Sequence, residues 1–265
     1  MSTTPDQLQT VGRQALACLD LTSLNDGHDV AGGEADIDAL CAKAIGRASG
    51  RGPTAAVCVW PRLAARARAQ LPAHIHVAAV ANFPDGGSDV QRAVRDTAAI
   101  VDAGAQEVDV VIPYRDFAAA PAVLHAVRRA CEGLTLKVIL ETGELAGLPD
   151  AAAKINQACR MALDNGADFL KTSTGKRPIS ATPEAATLLL KAIASNAAAR
   201  SRVGFKPAGG IRTVADAAAY IALTAQHLGA AAVNPARFRI GASGLLNDIE
   251  AVLAGGNRPT PGSTY

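Results

Sequence analysis

Short apolar segments alternate with amphipathic segments along the whole chain. A short apolar run predicts a buried strand, and a longer stretch with apolar residues three and four positions apart predicts a helix. The predicted strands cover residues 18–21, 55–59, 76–80, 107–111, 135–141, 169–172, a run ending at 206, and 238–240. The predicted helices cover residues 36–49, a segment starting at 61, 88–103, 119–131, 149–165, a segment capped at 182, 213–228 and 245–254.

Eight successive strand–helix units in a chain of 265 residues predict a single (β/α)₈ TIM barrel. The alternative is an open doubly wound sheet, which usually carries a glycine-rich fingerprint after its first strand. Here the first predicted strand runs into Asp20-Leu21-Thr22-Ser23, which is no such fingerprint. We therefore expect one barrel domain over residues 1–265.

Both ends of the chain lie outside the predicted barrel units. Thr4-Pro5-Asp6-Gln7 is a capping box with proline at the first helical position, which predicts a short N-terminal helix within residues 1–17. Residues 257–265 are rich in Pro, Gly, Ser and Thr and have no core-forming pattern. We expect them to form a flexible tail.

Two predicted strands carry a lysine at or next to their last residue, at positions where a buried apolar residue is usual. These are Lys171 and Lys206, each followed by a glycine-containing loop. Burying an ammonium group is costly unless it is paired or loses its proton. If the two strands are neighbours, the lysines share one cavity, where a like charge lowers the pKa of an amine. A neutral amine is what attacks a carbonyl to form a Schiff base.

The alternation of side chains along strands extends this polar set. A polar residue flanked by apolar residues points into the barrel if its neighbours point to the helices. The residues with this pattern are Asp20, Asp109, Lys137, Lys171 and Lys206. A structural ion network is the alternative interpretation, but such a network would balance its charges, and here lysines exceed aspartates.

Composition excludes several classes of function. The net charge of +2 is spread along the chain and aromatic residues make up only 3%, so we expect no nucleic-acid partner. The five cysteines are odd in number and lack C-x-x-C spacing, which indicates reduced thiols in a cytoplasmic protein and no zinc site. The sequence shows neither a signal peptide nor a membrane span, and no metal motif, so we expect no metal and no membrane partner.

Glycine-rich loops after the last two strands predict a phosphate site. Phosphate sites in barrels form from these loops and a helix N-terminus, where backbone N–H groups meet the anion. The candidate residues are Gly209 and Gly210 after strand 7, Gly241, Ser243 and Gly244 after strand 8, and Lys176 after strand 6.

Six motifs resemble those of deoxyribose-phosphate aldolases, and the likeness extends over residues 19–246. They are LDLT at 19–22, NFP at 82–84, EVDVV at 107–111, KVILETGEL at 137–145, FLKTSTGK at 169–176 and GFKPAGGIR at 204–212. The resemblance implies a class I aldolase on a TIM barrel, without metal or cofactor. Such an enzyme reversibly cleaves 2-deoxy-D-ribose 5-phosphate to acetaldehyde and D-glyceraldehyde 3-phosphate.

The resemblance also implies residue roles. Lys171 would be the Schiff-base nucleophile, Lys206 the second lysine that keeps it partly neutral, and Asp109 the acid/base, working through a water. Lys137 and Asp20 would support them. The further substrate-binding candidates in this sequence are Thr22, Thr172 and Cys58, the last of which is equally explained as a small core residue. Members of the family can end in a tyrosine that reaches the active site, which would give Tyr265 a role. Where the family usually has a second serine, this chain has Gly244.

Two other functions remain open from the sequence. One is a related class I or transaldolase-like enzyme acting on another phosphorylated sugar. The other is a catalytically silent phosphosugar-binding regulator, against which the intact set of Asp109, Lys171 and Lys206 argues. The sequence does not fix the oligomeric state, for which a homodimer is the working hypothesis.

Overall fold

Eight parallel strands form the centre of the computed structural model, which describes residues 4–46 and 49–255. Their order is β7-β6-β5-β4-β3-β2-β1-β8, and β1 pairs with both β2 and β8. Isolated parallel bridges, Phe205 to Phe238 and Ala208 to Gly241, join β7 to the β8 segment. The strands are β1 Leu19–Thr22, β2 Ala56–Val59, β3 His76–Ala81, β4 Glu107–Val111, β5 Thr135–Ile139, β6 Phe169–Lys171, β7 Gly204–Lys206 and β8 Ile240–Ala242. The predicted (β/α)₈ barrel is confirmed.

Helices follow the strands and bury their apolar stripes against the outside of the barrel. They are α1 Pro5–Ala17, α2 Glu34–Ile45, α3 Pro61–Gln70, α4 Val90–Asp102, α5 Ala120–Ala130, α6 Thr142–Ala146, α7 Ala151–Asp164, α8 Pro183–Ser195, α9 Val214–Leu228 and α10 Leu245–Leu253. Within the two described ranges, no helix combines the length and the apolar character needed to span a membrane.

Several predicted helix starts are confirmed, and one is wrong. Thr4 forms the predicted capping box with Gln7, and Thr182 and Thr213 accept backbone N–H groups as N-caps. The helix predicted to start at residue 88 starts at Val90, and its N-cap is Asp89, which accepts from the backbone N–H of Arg92. A carboxylate at the N-cap accepts hydrogen bonds from the same unpaired backbone N–H groups as a serine hydroxyl does.

Two element ends also differ from the prediction. The helix predicted to end at Gly50 ends at Gly46, which has a left-handed φ of 69°; there a Cβ would lie 2.1 Å from the carbonyl oxygen of Gly52. Strand β5 stops at Ile139 and not at residue 141, because Glu141 adopts a left-handed φ of 52° and precedes the additional helix α6.

The last strand lies two residues beyond its predicted position. Residues 238–240 were expected to form it, whereas β8 is Ile240–Ala242. The strand is only three residues long, so the sequence pattern gave little periodicity to set its register. The shift places Arg239 immediately before the strand, and its side chain is 5% exposed.

Strand register brings the charged residues to matching heights inside the barrel. Asp109 stands opposite Lys137 in the β4–β5 pair, and Lys171 stands opposite Lys206 in the β6–β7 pair. Their apolar neighbours along the strands, such as Leu170 and Phe205, are fully buried. The predicted alternation of side chains therefore builds a charged barrel interior surrounded by an apolar layer.

Candidate active site

Asp109 is the centre of the charged interior. Its Oδ1 accepts a hydrogen bond from Lys137 Nζ at 2.8 Å. Its Oδ2 accepts from both Lys171 Nζ and Lys206 Nζ, each at 2.8 Å. The two lysines singled out in the sequence thus share one carboxylate oxygen.

Two further carboxylates hold the rest of this network. Asp20 accepts from Lys206 Nζ and, at 2.6 Å, from Arg239 Nη1. Glu107 accepts from Lys137 Nζ and, at 2.7 Å, from Arg239 Nη2. All seven side chains are buried, and the buried network consists of Asp20, Glu107, Asp109, Lys137, Lys171, Lys206 and Arg239.

Charge in this network does not balance when every member is ionised. Four cations face three carboxylates, and an unpaired charge in a buried site is costly. Loss of one ammonium proton would remove the excess. Among the four cations, Lys171 makes a single carboxylate contact, with Asp109, while each of the others contacts at least two carboxylates.

The shifts in pKa follow from burial and from these neighbours. Burial alone would raise the pKa of Asp109, but the charges of Lys137, Lys171 and Lys206 outweigh it and hold this pKa well below its usual range. Burial alone would lower the pKa of Lys206, but Asp109 and Asp20 outweigh it and raise this pKa. Asp109 is therefore a carboxylate and Lys206 an ammonium at neutral pH.

An open pocket of about 810 Å³ lies over this network at the carboxyl ends of the strands. Lys171 contributes to its floor. Of the predicted binding residues, those that line it are Thr22, Lys176, Gly209, Gly210, Gly241, Ser243 and Gly244. A separate cleft of about 590 Å³ near Arg128 and Asp168, at the opposite end of the barrel, contains none of them.

The sequence matches one aldolase family over most of its length. The DeoC/LacD family aldolase profile matches residues 15–250. The chain is 44% identical over 258 residues to the deoxyribose-phosphate aldolase of Agrobacterium fabrum, covering 94% of each protein. The chain belongs to the DeoC/LacD family of aldolases. It is therefore a carbon–carbon lyase, as the resemblance of its motifs implied.

Solved structures share the fold of this aldolase. A Toxoplasma gondii ME49 crystal structure matches with a TM-score of 0.81 at 24% identity, covering 97% of this chain and 98% of that one. The tetrameric deoxyribose phosphate aldolase of Aeropyrum pernix matches with a TM-score of 0.69 at 21% identity, covering 94% and 97%. At these identities the likeness supports the barrel fold alone.

Three predicted residues of the aldolase lie beneath the pocket or beside it. Cys58 Sγ is 4.0 Å from Asp109 Oδ2, and burial raises the pKa of its thiol. Thr172 Oγ1 accepts from the backbone N–H of Ala208 at 3.0 Å, which ties the β6 loop to the β7 loop. Lys137 bridges two carboxylates. Direct substrate contacts of these residues stay predictions, and Tyr265 lies outside the described residues.

The loop after β6 is held in place by a buried carboxyl. Thr174 Oγ1 donates to Glu141 Oε2 at 2.5 Å and accepts from the backbone N–H of Lys176 at 3.0 Å. Burial raises the pKa of Glu141, against the two hydrogen bonds from Thr174. Lys176 Nζ lies 2.6 Å from Asp26 Oδ1, so this ion pair joins the β1 and β6 loops at the pocket mouth.

Three residues of the candidate site were not predicted from the sequence: Glu107, Arg239 and Arg212. Glu107 lies two residues before Asp109, so the alternation that identified Asp109 would have identified it too. Arg239 lies between Phe238 and Ile240 in the predicted last strand, so the same alternation would have identified it as well. Arg212 lines the pocket at the end of the motif GFKPAGGIR, in which only the lysine and the glycines were predicted to belong to the site. In the described ranges, no group of three or more His, Cys, Asp or Glu side chains could hold a metal ion.

Proposed function

We propose that this aldolase reversibly cleaves 2-deoxy-D-ribose 5-phosphate to acetaldehyde and D-glyceraldehyde 3-phosphate through a Schiff base on Lys171. The observation that carries the proposal is the single-carboxylate contact of Lys171 at the pocket floor, in a network with one cation too many. The name of the 44% identical Agrobacterium fabrum protein supports the same substrate.

Covalent catalysis begins with neutral Lys171. Its nitrogen attacks the C1 aldehyde of the open-chain sugar, and loss of water from the carbinolamine gives an iminium ion. The iminium then accepts the electron pair of the breaking C2–C3 bond and becomes an enamine. Lys206 remains an ammonium beside it, since Asp109 and Asp20 raise its pKa. Its charge stays next to the reacting nitrogen, with which it shares Asp109 Oδ2.

Asp109 acts as the general base and general acid of the cleavage. As a carboxylate, it takes the C3 hydroxyl proton through a water while the C2–C3 bond breaks and C3 becomes the aldehyde of the three-carbon product. The same proton returns to C2 of the enamine. Hydrolysis of the resulting imine releases acetaldehyde and restores Lys171. Lys137 holds Asp109 Oδ1 and so leaves Oδ2 directed towards the reacting amine.

The phosphate would bind between the loops after β7 and β8. Gly209 and Gly210 have left-handed φ values of 83° and 79°, which direct their loop around the pocket. Helix α10 begins after Gly244, and no side chain caps its N-terminus, so its first N–H groups are available to an anion. Lys176 and Ser243 line the same pocket and add a charge and a hydroxyl.

Reductive trapping tests the proposed Schiff base. We expect acetaldehyde with borohydride to leave one reduced two-carbon adduct, which peptide mapping by mass spectrometry places on Lys171. The exposed Lys191 of α8 is the internal control for non-specific alkylation. An unmodified Lys171, or equal labelling of both lysines, would refute the Schiff-base mechanism. A substrate panel with other phosphorylated sugars separates this proposal from the alternative aldolase function.

A serine at position 244 is expected to strengthen phosphate binding. A Cβ at Gly244 would meet no atom within 4 Å. The helical backbone there (φ −96°, ψ −14°) is not the extended conformation from which serine caps a helix, so the hydroxyl stays free. One added hydrogen bond to a charged group is worth about 1.5 kcal/mol or more, so Gly244→Ser should lower KM for the 5-phosphate by roughly tenfold.

The unphosphorylated sugar is the control for this variant. Steady-state kinetics should give an unchanged KM for 2-deoxy-D-ribose. Equal changes for both sugars would mean that position 244 does not contact the phosphate.

A cytoplasmic location and a homodimer stay predictions for this aldolase.

A further inference from the structure

The buried ionic network reaches the far end of the barrel at His76. This residue begins β3, at the rim opposite the substrate pocket. Its Nδ1 lies 2.7 Å from Glu107 Oε1, and its side chain is 41% exposed while that of Glu107 is fully buried. His76 therefore connects the charged interior with solvent on the face away from the substrate.

The hydrogen bond between His76 Nδ1 and Glu107 Oε1 has a definite donor. Glu107 is an ionised acceptor, since the charges of Lys137 and Arg239 outweigh the effect of burial and hold its pKa well below the usual range. An ionised carboxylate has no proton to give, so Nδ1 of His76 must carry the hydrogen.

Glu107 is held from two directions. His76 approaches from β3, the strand next to β4, whereas Arg239 precedes β8 on the other side of the barrel. Arg239 Nη2 donates to the same Oε1 at 2.7 Å. The position of Glu107 Oε1 therefore depends on both His76 and Arg239.

Displacement of Glu107 would be transmitted to the proposed proton carrier. Lys137 Nζ bridges Glu107 Oε2 and Asp109 Oδ1, so its position depends on both carboxylates. Asp109 Oδ2 in turn meets Lys171 Nζ at 2.8 Å. A misplacement of about 1 Å at a reacting group can reduce the rate by about 100-fold.

We propose that His76 is a positioning residue, whose Nδ1–H fixes Glu107 so that Lys137 keeps Asp109 aligned for proton transfer. This inference rests on the role proposed above for Asp109. It assigns a function in the reaction to a residue outside the pocket, at the opposite rim of the barrel.

Substitution of Glu107 is a poor test of the positioning role. Removal of its carboxylate leaves Lys137 and Arg239 with an unmatched charge in a fully buried site. His76 is partly exposed and can be changed. Replacement by leucine removes the donor, and replacement by asparagine keeps an N–H at the position of Nδ1. His74, an exposed histidine two residues earlier, supplies the control variant His74→Leu.

Turnover of the phosphorylated sugar is measured per lysine that reductive trapping labels, so that any unfolded fraction cancels. For His76→Leu we expect kcat to fall by roughly tenfold, with KM and the amount of trapped Lys171 unchanged. His76→Asn should recover most of the loss, and His74→Leu should match the wild type.

Three results would overturn the inference: a kcat for His76→Leu equal to that of the His74 control, an asparagine variant as slow as the leucine variant, or an effect confined to KM. If the wild-type protein itself neither traps the two-carbon unit on Lys171 nor turns over, the proposed function has failed instead.

Discussion

Replacing Lys171 by alanine is expected to lower aldol cleavage by at least about 10⁴-fold while the barrel stays folded. The loss is large because, among residues 4–46 and 49–255, no other amine lines the pocket floor next to Asp109. Removal of a covalent nucleophile from a cooperating set can cost up to about 10⁶-fold in kcat. Retro-aldol turnover in a coupled assay is the measurement.

The barrel should tolerate this substitution because the network loses its excess charge. Without Lys171, three cations face three carboxylates, and Asp109 keeps Lys137 and Lys206, each at 2.8 Å. We expect a change in the free energy of unfolding of no more than about 2 kcal/mol, below the cost of a broken buried pair that leaves a charge unmatched. Lys191→Ala on the exposed face of α8 is the matched control. Substantial activity in the Lys171 variant would contradict the mechanism.

Replacing Lys206 by methionine is expected to inactivate the enzyme at neutral pH by a different route. Methionine fills much of the lysine stem volume but removes a charge. Three cations then face three carboxylates, so the network no longer has the excess charge that loss of one ammonium proton would remove. We expect kcat/KM at neutral pH to fall by about 100-fold, since each tenfold loss of neutral amine corresponds to about 1.4 kcal/mol.

A pH profile separates this explanation from simple damage to the site. If Lys171 is protonated in the Lys206 variant, both activity and borohydride trapping should recover as the pH is raised. Asp20 keeps Arg239 Nη1 at 2.6 Å, so no buried carboxylate is left unpaired. A profile parallel to that of the wild type, merely lower at every pH, would show that Lys206 does not act through the protonation of Lys171. Lys191→Met supplies the control for loss of a lysine charge.

The site could be read from the sequence because strands impose a period of two on their side chains. That period separated Asp109 and Lys137 from the apolar residues beside them, and the structure brings both together inside the barrel. The same period placed the last strand two residues too early, because this strand is only three residues long, and Arg239 between Phe238 and Ile240 was not recognised as an inward-pointing residue. The glycine-rich loops that line the pocket could be predicted because their glycines stand at the ends of recognisable strands.

The end of α2 shows a different limit. Both Gly46 and Gly50 can end a helix, and both have left-handed φ values in the structure. Helix α2 ends at Gly46, where the chain packs against the carbonyl of Gly52 too closely for any side chain. That contact is formed by folding and leaves no mark in the local sequence.

The sequence by itself determined the fold class, the family and the amines on which the chemistry is proposed to depend, because these follow from local periodicity and from motifs. Only the tertiary structure decided which charges meet. Asp109 lies 62 positions from Lys171 and 97 from Lys206, and Asp20 lies 186 from Lys206 and 219 from Arg239. Coulomb energies depend on distances in space and on burial, so the pairing of these charges and the link to His76 became visible only when the barrel closed around them.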